Sequence, residues 1–347
     1  MIVKEKNRFI ILGGLLAVFL MLVCFVGIIM YKRVYEPQFQ IDKASCLYID
    51  TDDNADSVRC KIQETFHPKS LVGFDFLVDV LEYDTDIQTG CYQFEPNDNM
   101  RTVVRRLKAG WQTPVRLVVP SVRTVDKMVE ALSRQIMVSK EEIWEVLNDE
   151  KFLSRIDYTN ETLPALFLPN TYEVYWNTTA KNLIERFQRE NEKYWSQDRL
   201  NKATALGLSQ KEVSTLASII DEETANDAEK PIVAGLYLNR LKRGMLLQAD
   251  PTVKFALQDF TLRRILNVHL ETDSPYNTYK YAGLPPGPIR IPSLVAIESV
   301  LNPQKHDYIY MCAKEDFSGT HNFASTLSQH NVNARRYQQA LNKMGIK

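Results

Sequence analysis

Apolar positions along this chain keep no single period. From Phe9 to Tyr31 there is no polar face: about 23 uncharged residues, rich in Leu, Val, Ile and Phe, follow one another. At ~1.5 Å per residue a helix of that length reaches roughly 35 Å, enough to cross a hydrocarbon core with some tilt. Lys4, Lys6 and Arg8 precede it and Lys32 and Arg33 follow, a slight excess that favours an N-terminus in the cytoplasm. A cleaved signal peptide would have a shorter apolar core and a small-residue cleavage site, but YKRVYEPQ follows instead. A buried core helix rarely runs so long without a polar face. The pattern predicts a single-pass anchor in the cytoplasmic (inner) membrane, with the body of the chain outside the cytoplasm.

Beyond it, Val34 to about Gln40 reads as a short extended stalk. Between Ile41 and about Thr113, strand-like runs (CLYI, GCYQF) mix with acidic turns and a helix near Met100–Leu107 that ends at Gly110. From Val115 to Trp176 the order changes: VRLVVP is a strand, Thr124–Gln135 and Lys140–Leu147 are helices, and LPALFLPNTYEVYW returns extended. Ser139 and Glu142 make a capping box for the second helix. This β-α-α-β order is the layout of a LysM-like module, and also a common arrangement without that role. Lys181–Trp195 is a charged amphipathic helix with Leu183, Ile184 and Phe187 on one side, read as a brace.

At Ser209 a second capping box, with Glu212, opens a helix whose apolar positions Val213, Leu216, Ala217 and Ile220 fall at i, i+3, i+4 and i+7. At about 100° per residue, Glu223 lies about 20° from Leu216 and about 40° from Ile219, whereas Glu222 falls on the far side. Of three consecutive acids, Glu223 is the one turned inward. An acid among aliphatic neighbours resists ionisation, as a general acid at neutral pH must. A salt bridge, with Arg240 as partner, is the structural alternative. A second helix follows, with Asp227 as expected N-cap and Gly244 as its stop, and it leaves Asn239 on a buried stripe. In LQADPT an extended backbone would send Gln248, Asp250 and Thr252 to one face as a polar platform. Tyr276 and Tyr279 in SPYNTY suit stacking on sugar rings, with Asn277 as a hydrogen-bonding partner. GLPPGPI is a rigid loop, His321 and Phe323 alternate as in a strand, YIYMC at 308–312 is a buried strand, and His330 and Asn331 are placed to cap the last helix.

Charge and composition narrow the chemistry. Lys+Arg 42 against Asp+Glu 43, with no basic stripe, argues against nucleic acid as a partner. TDDNAD lacks the glycine and terminal glutamate of a Ca²⁺ loop and reads as a solvated turn. The five cysteines show no CxxC spacing, and no HExxH occurs, so neither metal nor cofactor is expected. Cys46 and Cys60 are a possible pair, with free thiols as the alternative.

IIDEET (219–224), YLNRLKRGM (237–245), LQADPTV (247–253), SPYNTY (274–279), GLPPGPI (283–289), THNF and SQHN around His321 and His330, and LFLPNTY (166–172) together resemble the endolytic murein transglycosylases of the MltG (YceG-like) family. The resemblance covers most of the chain after the anchor. It implies an α+β fold: a transmembrane helix at 9–31 after a cytoplasmic tail at 1–8, a stalk and mixed α/β region at 32–113, a LysM-like module at 114–176, a linking helix at 177–208, and a helix-led α+β catalytic domain at 209–347. It implies cleavage of the bond between N-acetylmuramic acid and N-acetylglucosamine without water, leaving 1,6-anhydro ends. The substrate would be peptidoglycan glycan strands, with peptidoglycan synthases as candidate partners. The family's catalytic glutamate falls on Glu223, the residue that helical geometry selects; candidate substrate contacts are Asn239, Gln248, Asp250, Thr252, Tyr276, Asn277, Tyr279 and His321. The family often has glutamate where this chain has Asp221, and IIDEET lacks a basic residue that some members carry. Two other readings stay open: a muramidase-type hydrolase using Asp250 as second carboxylate, and a non-catalytic peptidoglycan-binding scaffold.

Overall fold

The computed structural model describes residues 2–262 and 264–344. Met1 of the expected tail and Gly345–Lys347 of the expected catalytic segment lie outside the described residues. The chain folds as two compact units, one built from residues up to Arg116 with Glu173–Asn177, the other from Leu117–Tyr172 and from Thr178 onward.

The first unit begins with α1 (Ile2–Tyr35), of which Ile10–Tyr35 is long and apolar enough to cross a membrane. No extended stalk follows at Val34, because the helix continues to Tyr35 and Val34 joins the core with Phe39. Gln38 is buried and donates its side-chain amide to Lys32 O and Glu36 O, capping the helix end. Strand β1 (Ser45–Ile49) pairs antiparallel with β2 (Gly90–Phe94). Between them lie α2 (Ala55–Phe66), opened by an Asn54–Ser57 capping box, and α3 (Val72–Leu81); α4 (Met100–Lys108) follows, with Asn99 as N-cap. Their inner faces close around Phe66, Phe94, Ile62 and Leu107, with the Phe66 and Phe94 rings stacked 4.2 Å apart. All five cysteines, Cys46 and Cys60 among them, are free.

Further along the chain, β3 (Val115–Val119) and β4 (Asn170–Val174) make a two-stranded sheet. Between them run α5 (Val125–Ser133) and α6 (Lys140–Leu147), the latter with the Ser139–Glu142 box. A third short helix, α7 (Glu150–Arg155), capped by Asp149, and a 3₁₀ turn at Leu163–Ala165 precede the return strand. The expected four-element order is therefore longer by one helix. The brace α8 (Ala180–Tyr194) buries Asn191, whose amide donates to Ala165 O and Leu166 O. Then come α9 (Gln197–Ala205), α10 (Gln210–Glu223), α11 (Lys230–Lys242), α12 (Asp250–Leu257), α13 (Asn267–Leu270), α14 (Leu294–Leu301), the antiparallel pair β5 (Tyr310–Ala313) and β6 (His321–Ala324), and α15 (Leu327–Lys343). Helix α10 is central: it packs against α11, α12 and α14 and contributes Val213, Leu216, Ala217, Ile219 and Ile220 to the core.

Caps and loops differ from expectation at several points. Helix α11 starts at Lys230 rather than after Asp227, which instead pairs with Lys230 at 2.7 Å. Thr326 caps α15, and His330 lies one turn inside it, stacked on Tyr310. The YIYMC strand is only half-buried. In GLPPGPI, Gly287 is required for packing, since a Cβ there would collide with the Glu161 carbonyl, and Ile289 N–H donates to Ser218 Oγ on α10.

Candidate active site

The last helical residue of α10 is Glu223. A carboxylate there faces the negative end of the helix dipole, and the aliphatic core rises behind it. Its Oε1 accepts a 2.7 Å hydrogen bond from the Tyr237 hydroxyl on α11. Burial pushes the Glu223 carboxyl up to about 7, against the pull of the Tyr237 bond, with Asp250 raising it further and Arg240 and Lys254 lowering it. The side chain keeps a partial opening to a cleft of about 270 Å³, lined also by Tyr237, Arg240, Gln248, Asp250, Tyr279 and His321.

The ion pair with Arg240 that would have made Glu223 structural is absent among the described residues. Arg240 is buried and its guanidinium is spent on backbone: Nε donates to Ile309 O at 2.7 Å and Nη1 to Leu247 O at 2.7 Å. This clamps β5 and the LQADPT turn beside the cleft and supplies positive charge without neutralising the acid. The neighbouring acids are engaged elsewhere. Glu222 pairs with Arg123 and Arg290, both at 2.9 Å. Asp221 pairs with buried Lys230 at 2.8 Å and holds Ser293, the N-cap of α14, by accepting from its N–H and Oγ. Aspartate at 221 thus braces two helices around the site.

The candidate contacts divide into two groups. Gln248, Asp250, Tyr279 and His321 line the cleft with Glu223. Gln248 adopts a left-handed conformation (φ 51°), and Asp250 accepts from the Tyr279 hydroxyl at 2.5 Å. LQADPT is not an extended platform: Asp250 starts α12, Pro251 occupies its first turn, and Thr252 turns inward. Thr252 is fully buried, donates to Ala249 O and meets Thr278 Oγ1 at 2.8 Å. Asn277 is also fully buried; its amide ties Leu270 O and Thr272 O, and its Oδ1 accepts from Tyr279 N–H. Asn239 gives its amide to His306 O and Tyr308 O. Tyr276 packs on Phe255, 4.7 Å between centroids, at the edge of the core. Thr252, Asn277, Asn239 and Tyr276 therefore shape the cleft wall from behind and do not line it.

Two residues enter that sequence reasoning missed. Tyr237 lies fourteen positions from Glu223 on the next helix, and only the packing of α10 on α11 joins them. Glu229, buried at the entry to α11, accepts from His321 N–H at 2.8 Å and holds His321 Nδ1 at 3.0 Å. That leaves Nε2 of a fixed imidazole for the cleft. A glutamate just ahead of a helix starting with Lys-Pro carries no sequence signal for this role.

The fold thus sets one acid, its carboxyl raised by burial, in a polar cleft. The YceG-like family profile matches residues 47–336, and the chain belongs to that family. It is 29% identical over 276 residues to an endolytic murein transglycosylase of Bacillus subtilis, covering 74% of each chain. It is 27% identical over 354 residues to one of Streptococcus pneumoniae, covering 92% of this chain and 64% of that one. A crystal structure of a YceG-like protein from Listeria monocytogenes superposes with TM-score 0.57 at 25% identity, over 84% of this chain and 99% of the other.

Proposed function

We propose that the protein is a membrane-anchored lytic transglycosylase of peptidoglycan, with Glu223 as the sole acid and base. The observation that carries this reading is an inward carboxyl raised by burial to about 7, with no ion pair among the described residues, opening on a cleft beside Asp250, Tyr279 and His321. Neutral Glu223 gives its proton to the oxygen between N-acetylmuramic acid and N-acetylglucosamine. The C1–O bond breaks with its electron pair on that oxygen, leaving an oxocarbenium-like centre. The muramic 6-hydroxyl oxygen then attacks C1, and its proton passes to the Glu223 carboxylate. The acid is restored, a 1,6-anhydro ring has formed, and no water is consumed. Gln248, Asp250, Tyr279 and His321 serve as sugar contacts, and the strand–helix segment from β3 to β4 as a LysM-like grip on the same glycan. Helix α1 anchors the protein in the cytoplasmic membrane with the N-terminus inside, where peptidoglycan synthases are candidate partners.

Hydrolysis is the second reading, favoured by one observation: Asp250 lines the same cleft and could act as the second carboxylate that a hydrolase needs. Mass spectrometry of digested sacculi separates the outcomes. New 1,6-anhydro ends support transglycosylation, new reducing ends support hydrolysis, and no new ends leave a binding scaffold. Glu223→Gln is expected to remove the anhydro products, a loss of at least about 10²–10⁴-fold, while keeping the fold.

A further inference from the structure

Helix α3 leaves an apolar stripe in the open. Val72, Phe76 and Val80, spaced at i, i+4 and i+8, are 52%, 47% and 58% exposed, while Phe74 and Leu77 fill the core on the opposite side. Most surface helices reverse this pattern. The placement of the stripe on the helix is specific. At about 100° per residue Val72, Phe76 and Val80 span about 80°, and Gly73 borders them about 20° beyond Val80. Gly73 is where α3 meets α1: a Cβ there would collide with the Arg33 carbonyl. The two acids of the exposed arc, Asp75 and Asp79, lie on the side away from Gly73, and Asp75 is held by Arg59 at 2.6 Å. The uncharged edge of α3 is thus the edge beside α1.

Contact between α1 and the unit starts high on the apolar helix. Met30 and Arg33 are already partly covered and Val34 is buried, so no free linker separates the apolar segment from the folded body. Tyr31 and Tyr35, of a residue type enriched at membrane–water interfaces, stack at 4.9 Å at this level, and Arg101 lies over the Tyr35 ring. We propose that the Val72–Phe76–Val80 face of α3 lies in the headgroup–acyl boundary of the bilayer that α1 crosses, so that the first unit rests on the lipid surface as well as hanging from it. An exposed apolar stripe continuous with a spanning helix is covered by lipid for the reason an interfacial amphipathic helix is. This inference rests on the reading of α1 as a membrane anchor.

The test uses the full chain in phosphatidylethanolamine–phosphatidylglycerol vesicles, with p-benzoylphenylalanine placed at Phe76 and, separately, at Phe25 in α1. After irradiation, peptide mass spectrometry reads what each position has captured. Phospholipid adducts at both positions are expected, with Phe76→Asn and Val80→Asn introduced beside a probe at Val72 reducing its lipid adduct several-fold. Lipid at Phe25 but protein or nothing at Phe76 and Val72 overturns the stripe and leaves the anchor standing. No lipid adduct at Phe25 overturns the anchor itself.

Discussion

At the scale of single residues, the pH dependence of the site follows from what surrounds Glu223. In the proposed mechanism the free acid is the competent form, and its carboxyl is raised from the ordinary 4.5 to about 7. Turnover should therefore fall with unit slope as pH rises through about 7. Asp250 pushes the carboxyl up, so Asp250→Asn should move that limb to lower pH; Tyr237 pulls it down, so Tyr237→Phe should move it higher. A pH–rate profile of both variants checks the signs, and a limb unmoved in either would detach Glu223 from the titration. Stability runs in the same window. Between 4.5 and about 7 the folded state holds a proton that the unfolded state has released, so stability contributed by the neutral acid is full below 4.5 and declines as pH rises through about 7. Glu223→Gln should then be more stable than the native chain above pH 7, by about 1–3 kcal/mol, with the gain vanishing in acid. Denaturant melts at pH 4 and pH 8 measure it.

Elements explain which candidate residues touch the cleft and which hold it. Asn277 and Gln248 are both polar and sit in adjacent motifs, yet one is fully buried on three backbone groups and the other faces the cleft. Asn277→Ala would strand the carbonyls of Leu270 and Thr272, a loss of about 2–4 kcal/mol in unfolding free energy with reduced expression as its sign. Gln248→Ala should melt like the native chain and raise KM for glycan while sparing the fold. If the two variants behave alike, the division between wall and lining is wrong. The same logic shows what was legible beforehand. Capping boxes at Ser139 and Ser209 were readable because a cap is local chemistry, and the inward turn of Glu223 followed from helical period alone. The LQADPT turn was misread because Pro near the first helical turn and Pro in an extended turn look alike until Thr252 finds Thr278, 26 residues away. Helix α3 carries no such local signal: Leu71 opens it without a side-chain cap, apolar residues occupy both of its faces, and its packing on α1 and α4 defines it.

For the molecule as a whole, the boundary between anchor and body is the feature sequence placed least well. The change from apolar run to YKRVYEPQ suggested a stalk, because charge and proline usually mark a linker. Instead Val34 is 5% exposed within the first unit's core, Phe39 6%, and Gln38 closes the helix end, so the last turn of α1 belongs to the folded body. Where the chain is cut should then decide whether the first unit survives. A chain started at Lys32 loses most of the apolar segment Ile10–Tyr35 and, if α1 is the proposed anchor, should become soluble while keeping Val34 in place. A chain started at Phe39 also loses Val34 and the Gln38 carbonyl that accepts from Lys69 N–H at 2.8 Å, which should cost about 2–4 kcal/mol from one buried aliphatic side chain and one backbone bond. Thermal melts and limited proteolysis of the two soluble forms compare them directly. Equal stability would mean that α1 ends functionally at the membrane, and that the packing of Val34 adds nothing to the unit it completes.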